Sequence, residues 1–182
     1  MDLSEFEKEA LQRPPASTFF LIVSFNHVEV FFQAKSSAQR MFSKVYLESN
    51  TMPKWTPDIS ERYTSRIGEV TKILAFKRRI HREELPDLKK KCIDLQIKLK
   101  KKDSSVRLIP GYLSPHNVVL SSTSDDFHRI YLFHGVYAEV VYKYEKLQLQ
   151  CLDTTPEFFY SKEVGFFFSA LRDYHINTRD KK

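Results

Sequence analysis

The sequence predicts an α+β fold: a mainly antiparallel sheet with helices on one face, formed as a ferredoxin-like core with an added C-terminal hairpin and helix. Three observations predict it. Residues 18–25 (TFFLIVSF) are almost wholly apolar, as in a strand buried on both faces. Two long segments repeat apolar residues at steps of three and four, which puts them on one helical face. The C-terminal half holds several short runs rich in Val, Ile, Tyr and Phe, which read as an antiparallel meander. The order strand, helix, two strands, helix, several strands, helix then matches a layered α+β domain.

Residues 18–25 form the first, central strand. Across residues 28–48, Phe31, Ala34, Ala38, Met41, Phe42 and Val45 share one face, which predicts a helix covering the sheet. Residues 51–57 contain two prolines and the single tryptophan and read as a loop before two extended segments, 62–67 and 71–76. Acidic residues and a proline at Glu83-Glu84-Leu85-Pro86 start a helix that runs to Lys102, with Leu85, Leu88, Cys92, Leu95 and Leu99 as its apolar stripe. A charged loop follows. Residues 117–122, 127–133, 136–144 and 147–152 are the meander strands, with His134-Gly135 at a two-residue hairpin turn, where glycine supplies positive φ without steric cost. Residues 156–177 form the last helix, through Phe159, Phe167, Ala170, Leu171 and Tyr174.

The chain has 182 residues, 42% of them apolar, enough for one core. Residues 18–177 are expected to form a single domain, preceded by a flexible arm over 1–17 and followed by a disordered basic tail over 178–182. Within the arm, residues 2–10 are suited to a short acidic helix ending before Arg13-Pro14-Pro15.

Composition removes several function classes. The four glycines lie too far apart for either a P-loop or a dinucleotide-binding glycine fingerprint. Two cysteines cannot form a four-thiolate zinc site or a disulfide framework and suggest a reducing compartment. An acidic start argues against an export signal, and the longest apolar run, residues 19–23, falls far short of the roughly 20 residues of a membrane span. A cytoplasmic protein without a membrane span is expected. No metal site and no cofactor are expected, because His116, His128 and His134 lack ligand spacing. Nor is there a nucleophile motif, and Cys92 falls on an apolar helix stripe.

Charge is concentrated. Residues 72–102 carry twelve Lys and Arg against four Asp and Glu, a local excess of eight positive charges, whereas the whole chain has six. Such a footprint suits contact with phosphates, so Lys89, Lys90, Lys91, Lys100, Lys101 and Lys102 are candidates for an anion-binding surface. The alternative is a solvated helix face with Lys stems lying along apolar neighbours. Ile93 and Ile97 fall on the same outer face and would suit a protein partner.

The hairpin gives a second candidate. A two-residue turn at His134-Gly135 sets opposite residues at positions summing to 269, so His128 and Glu139 become diagonal neighbours on one face, with Arg129 and Tyr131 on the other. A carboxylate beside an imidazole fixes its tautomer, as a general base or anion-binding group needs, but it also serves as an ordinary cross-strand pair. Gly111 and Tyr112, in Pro110-Gly111-Tyr112, are candidate ligand-contact residues if that segment turns the chain toward a ligand; a plain turn is the other reading.

Residues 106–144 (VRLIPGYLSPHNVVLSSTSDDFHRIYLFHGVYAEVVYKY) resemble an uncharacterised bacterial family known only as a domain of unknown function. Shared are Pro110-Gly111-Tyr112-Leu113, Val119-Leu120, His128-Arg129-Ile130-Tyr131-Leu132 and Tyr137-Ala138-Glu139-Val140, and weaker similarity spans residues 19–176. The resemblance implies no established activity; some members carry a GTP-binding designation, for which the glycine loops are missing here. Arg107 and Ile109 stand where the family has Asn-x-Asp, Ser124 where it has lysine, Arg66 where it has an acid, and Thr155-Pro156-Glu157-Phe158 where it has Tyr-Pro-Asp-Tyr. A carboxylate-dependent site would be incomplete here, which argues against an enzyme. What survives is His128, Arg129, Tyr131, Tyr137 and Glu139. The function expected is therefore a small binding module for an anionic ligand, nucleic acid or nucleotide; the alternatives are a phosphate-chemistry enzyme using His128, Glu139 and Arg129, or a protein-interaction subunit.

Overall fold

The computed structural model describes residues 11–57 and 66–178. Its centre is the strand β1 (Ser17–Phe25), all nine residues of which are buried. Helix α1 (Val28–Met41) follows, then β2 (Val45–Glu48), β3 (Val70–Ile80), a 3₁₀ turn Arg82–Glu84 running into α2 (Leu85–Leu99), and β4 (Arg107–Leu113). The second half holds β5 (Asn117–Ser122), β6 (Ile130–Phe133), β7 (Val136–Glu145) and β8 (Gln148–Cys151), then a 3₁₀ turn Glu157–Tyr160 and α3 (Lys162–Asn177). The eight strands form one sheet in the order β2-β3-β1-β4-β5-β7-β6, with β8 also paired to β7. Every pairing is antiparallel.

The predicted α+β class and antiparallel sheet stand. Helix placement differs from expectation, because helices cover both faces. Alternate side chains of a strand point to opposite sides, so Phe19, Leu21, Val23 and Phe25 pack with Phe31, Ala34 and Ala38 of α1 and Leu88, Cys92 and Leu95 of α2. Phe20 and Ile22 pack instead with Phe158, Phe159 and with Val164, Phe168 and Leu171 of α3. An apolar run without alternation needs cover on both sides, which two helices on one face and one on the other supply. No helix among the described residues is long and apolar enough to cross a membrane.

Three segments depart from the sequence reading. The helix predicted over 28–48 stops at Met41, and Val45–Glu48 becomes an edge strand on β3. Its apolar spacing continues past the break, and only long-range pairing distinguishes the two. The segment read as a charged loop with a turn at Pro110-Gly111-Tyr112 is instead the buried strand β4 beside β1. Of the extended segment predicted over 62–67, residues 62–65 lie outside the described residues and 66–67 are not in a strand. Most of the predicted arm and tail lie outside them too, and Ser17, assigned to the arm, is the first residue of β1.

Pro110 is tolerated inside the sheet for a definite reason. Its side toward β5 is where a strand would require an N–H, and the β4–β5 ladder extends only from Gly111↔Leu120 to Leu113↔Val118. Before Gly111 the two strands separate. The Pro110 carbonyl is satisfied by the Ser121 hydroxyl at 2.7 Å, and the Leu108 N–H by Oε1 of Gln96 from α2 at 2.7 Å. Two side chains thus do what the missing strand partner would do.

Candidate functional site: a cleft between β4 and β5

The separation of β4 from β5 opens a cleft of about 640 Å³. Strand β4 contributes Arg107, Leu108 and Ile109; β5 and the following loop contribute Leu120 through Ser124; and α2 contributes Lys89, Ile93 and Gln96. Trp55 and Pro156 add apolar surface, and His128, Arg129 and Glu139 add charge.

Arg107 is the unusual group. Its side chain belongs to an otherwise apolar run and is only 6% exposed. Among the described residues its hydrogen bond is from Nη1 to the carbonyl oxygen of Val106 at 2.9 Å, and no carboxylate lies within ion-pair distance of it. A guanidinium offers five N–H donors, so most of its capacity is unused by the protein. A buried cation normally requires such partners.

Across the cleft, Glu139 is 4% exposed. His128 Nε2 lies 2.8 Å from its Oε1 and Arg129 Nε lies 3.6 Å from its Oε2. Arg129 also donates from Nη1 to the hydroxyl and carbonyl of Ser124 at 2.5 and 3.0 Å, fixing the β5–β6 loop. The second imidazole nitrogen, Nδ1, stands 3.8 Å from Asp126 Oδ2.

The structure brings His128 and Glu139 into contact, but not through the register that the hairpin arithmetic assumes, and it corrects the position of Arg129. His134 and Gly135 do form the turn, with φ of 49° and 77°. Between Tyr131 and Phe133, however, the β6–β7 register shifts, so that Ile130 faces Ala138 and Tyr131 faces Tyr137. His128 and Arg129 precede β6 in a turn closed by the Arg129 N–H to the Asp126 carbonyl at 3.0 Å. Outside the strand, alternation no longer separates them, and both reach Glu139.

Other expected site residues lie elsewhere. Gly111 and Tyr112 are inside β4 and do not line the cleft: a Cβ on Gly111 would stand 2.3 Å from the Val119 carbonyl oxygen and 2.5 Å from Phe20 Cζ, and Tyr112 packs in the core under Arg82. Tyr131 and Tyr137 meet edge to face at 5.3 Å on the β6–β7 hairpin, outside the cleft. Of the candidate lysines only Lys89 lines it; Lys100 is half-buried, and Lys90, Lys91, Lys101 and Lys102 are exposed. Cys92 is buried, which pushes its thiol up to about 12, away from nucleophilic use.

Sequence reading missed Arg107, Gln96 and Trp55 as neighbours. The available signal was a lone arginine inside the apolar run 106–113, a charge that a buried strand would not carry without a role.

The family described as "Domain of unknown function (DUF4416)" matches residues 15–175. No curated protein and no solved structure matches the chain.

Proposed function

Because the chain belongs to the DUF4416 family, whose function is unknown, the reading must come from the site, and we propose that this domain is a small cytoplasmic binding module for an anionic ligand taken up between β4 and β5. The observation that carries the reading is Arg107, a buried guanidinium on the cleft that, among the described residues, makes a single hydrogen bond, to its neighbour's carbonyl. An oxyanion on Arg107 would supply the charge and the acceptors that the described residues leave out. Nucleotides and nucleic acids, the classes favoured by the basic composition, carry such oxyanions. The cleft favours a small molecule or a single nucleotide unit over a broad polymer surface, since the exposed lysines of α2 lie outside it. Free Cys92 and Cys151 support the reducing compartment.

Trp55 is the only tryptophan and lines the cleft, so its fluorescence reports occupancy. Titration with adenosine 5′-monophosphate is expected to give a saturable change that Arg107→Gln abolishes. An unchanged titration in Arg107→Gln would remove the basis of this reading.

One observation favours a second reading, an enzyme of phosphate chemistry: the 2.8 Å contact that orients His128 on Glu139. There His128 would act as acid or base and Arg129 would hold charge. Turnover of a phosphate ester lost in His128→Ala, with binding retained, would support it over simple binding.

A further inference from the structure

We infer that β6 is the interface of a homodimer, in which two copies of this chain join their sheets edge to edge, β6 against β6, about a two-fold axis. None of the residues involved lines the cleft, so the dimer and the anion-binding reading stand or fall separately.

Strand β6 has the composition of an interior strand in the position of an edge. Ile130, Tyr131, Leu132 and Phe133 include no charge and no proline. Elsewhere in the chain such a run marks β1, which is covered on both faces and paired on both sides. Yet β6 is last in the sheet order, and among the described residues it pairs only with β7. Together with Phe127, which precedes the strand, its side chains are between 37% and 89% exposed. At roughly 200 Å² for each large side chain, these five leave on the order of 600 Å² of mainly apolar surface in water. That lies at the top of the range of about 300–600 Å² for the largest patch on a monomer, where such a patch marks an interaction site.

The opposite edge of the sheet is guarded. There Glu48 of β2 is held by Lys35 and Lys72 at 2.6 and 2.7 Å, and the exposed Lys44 stands just before the strand. Charges on or beside an edge strand deter a second sheet from pairing with it. The register shift between Tyr131 and Phe133 bends β6, but no side chain of the strand sets a charge against an incoming one.

The occupant that fits is β6 itself. A strand paired antiparallel with its own copy has a two-fold axis through its middle, so one patch serves both sides and association closes at two. Full overlap of four residues sets Ile130 opposite Phe133 of the second copy, and Tyr131 opposite Leu132, with no charge at any position. Burying the patch on both copies removes on the order of 1,200 Å² in total, the lower limit for a stable interface. An interface at that limit exchanges, with a dissociation constant on the order of 10 µM.

Sedimentation velocity of the full chain from about 1 to 200 µM brackets that constant and tests the dimer. The mass should rise from 21.5 kDa toward twice that value. Ile130→Lys, which sets a charge against Phe133 of the second copy, should weaken association by at least about tenfold. Adding Phe133→Glu to the same chain places opposite charges across the axis and should recover most of the loss. Both side chains are exposed, so circular dichroism and thermal unfolding at the lowest concentration should match wild type; if Ile130→Lys fails to fold, Tyr131→Lys is read in its place. A chain that stays monomeric to about 200 µM would overturn the dimer and leave the patch to a different protein. A dimer insensitive to the charge on β6 would overturn it by placing the interface elsewhere. Failure of the paired change to recover association would overturn the two-fold register.

Discussion

The side-chain carbonyl of Gln96 on α2 accepts the backbone N–H of Leu108 on β4 at 2.7 Å, the position that a β5 carbonyl would hold in a continuous ladder. A helix side chain therefore lets the sheet part at this point without orphaning a buried donor. The cleft and Arg107 exist because this substitution of partner is possible.

Removing that partner exposes its value. Gln96→Leu leaves the Leu108 N–H buried and unpaired, which costs about 1–3 kcal/mol. Urea unfolding should show a lower midpoint at unchanged slope, since the surface exposed on unfolding stays the same. Unchanged stability would mean that another group reaches the N–H.

Asp103, in the loop between α2 and β4, is buried and ties that loop to the start of α1. Its carboxylate accepts the N–H groups of Asn26 and His27 at 2.7 and 2.9 Å, and the N–H and hydroxyl of Ser105 at 3.0 and 2.5 Å. Burial alone would raise its pKa, but the bonds from Ser105, His27 and Asn26 outweigh that and hold the carboxyl below its ordinary value. A carboxyl depressed on folding contributes stability above its unfolded value of about 3.9, and that contribution is lost as pH falls through the folded value. The stability difference between wild type and Asp103→Asn should be about 1–3 kcal/mol near neutral pH and shrink below about pH 4. A difference independent of pH would contradict the assignment.

Gly111 is required for packing, not for a ligand. Gly111→Ala would press a methyl group on the Val119 carbonyl oxygen and the Phe20 ring, both in the sheet interior. Overpacking of this kind costs about 1–3 kcal/mol or more. Thermal unfolding should fall accordingly, while any anion affinity measured on the folded fraction stays within about twofold of wild type, a shift of under ~0.5 kcal/mol. Loss of affinity without loss of stability would restore the ligand-contact role expected from the sequence.

Much of the fold was legible locally. An unbroken apolar run specifies a strand covered on both faces, three- and four-residue steps specify α2 and α3, and a glycine after His134 specifies a turn with two positive φ values. Each of these depends on residues near one another in the chain. The contact between His128 and Glu139 was likewise within reach, because both belong to one hairpin. Arg129 was misplaced because the register shift near Leu132 has no mark in the residues themselves.

What the sequence determined by itself was therefore the class of the fold, its principal helices and strands, and one polar pair. Only the tertiary structure decided that Val45–Glu48 leaves helix α1 for the edge of β3, that β4 parts from β5, and that Arg107 is buried with no carboxylate partner among the described residues. Each of these outcomes depends on groups far apart in sequence, Gln96 against Leu108, Ser121 against Pro110, α2 against the open ladder. Hydrogen-bond competition across such distances depends on which segments meet, and the local pattern of apolar and polar residues carries no record of that.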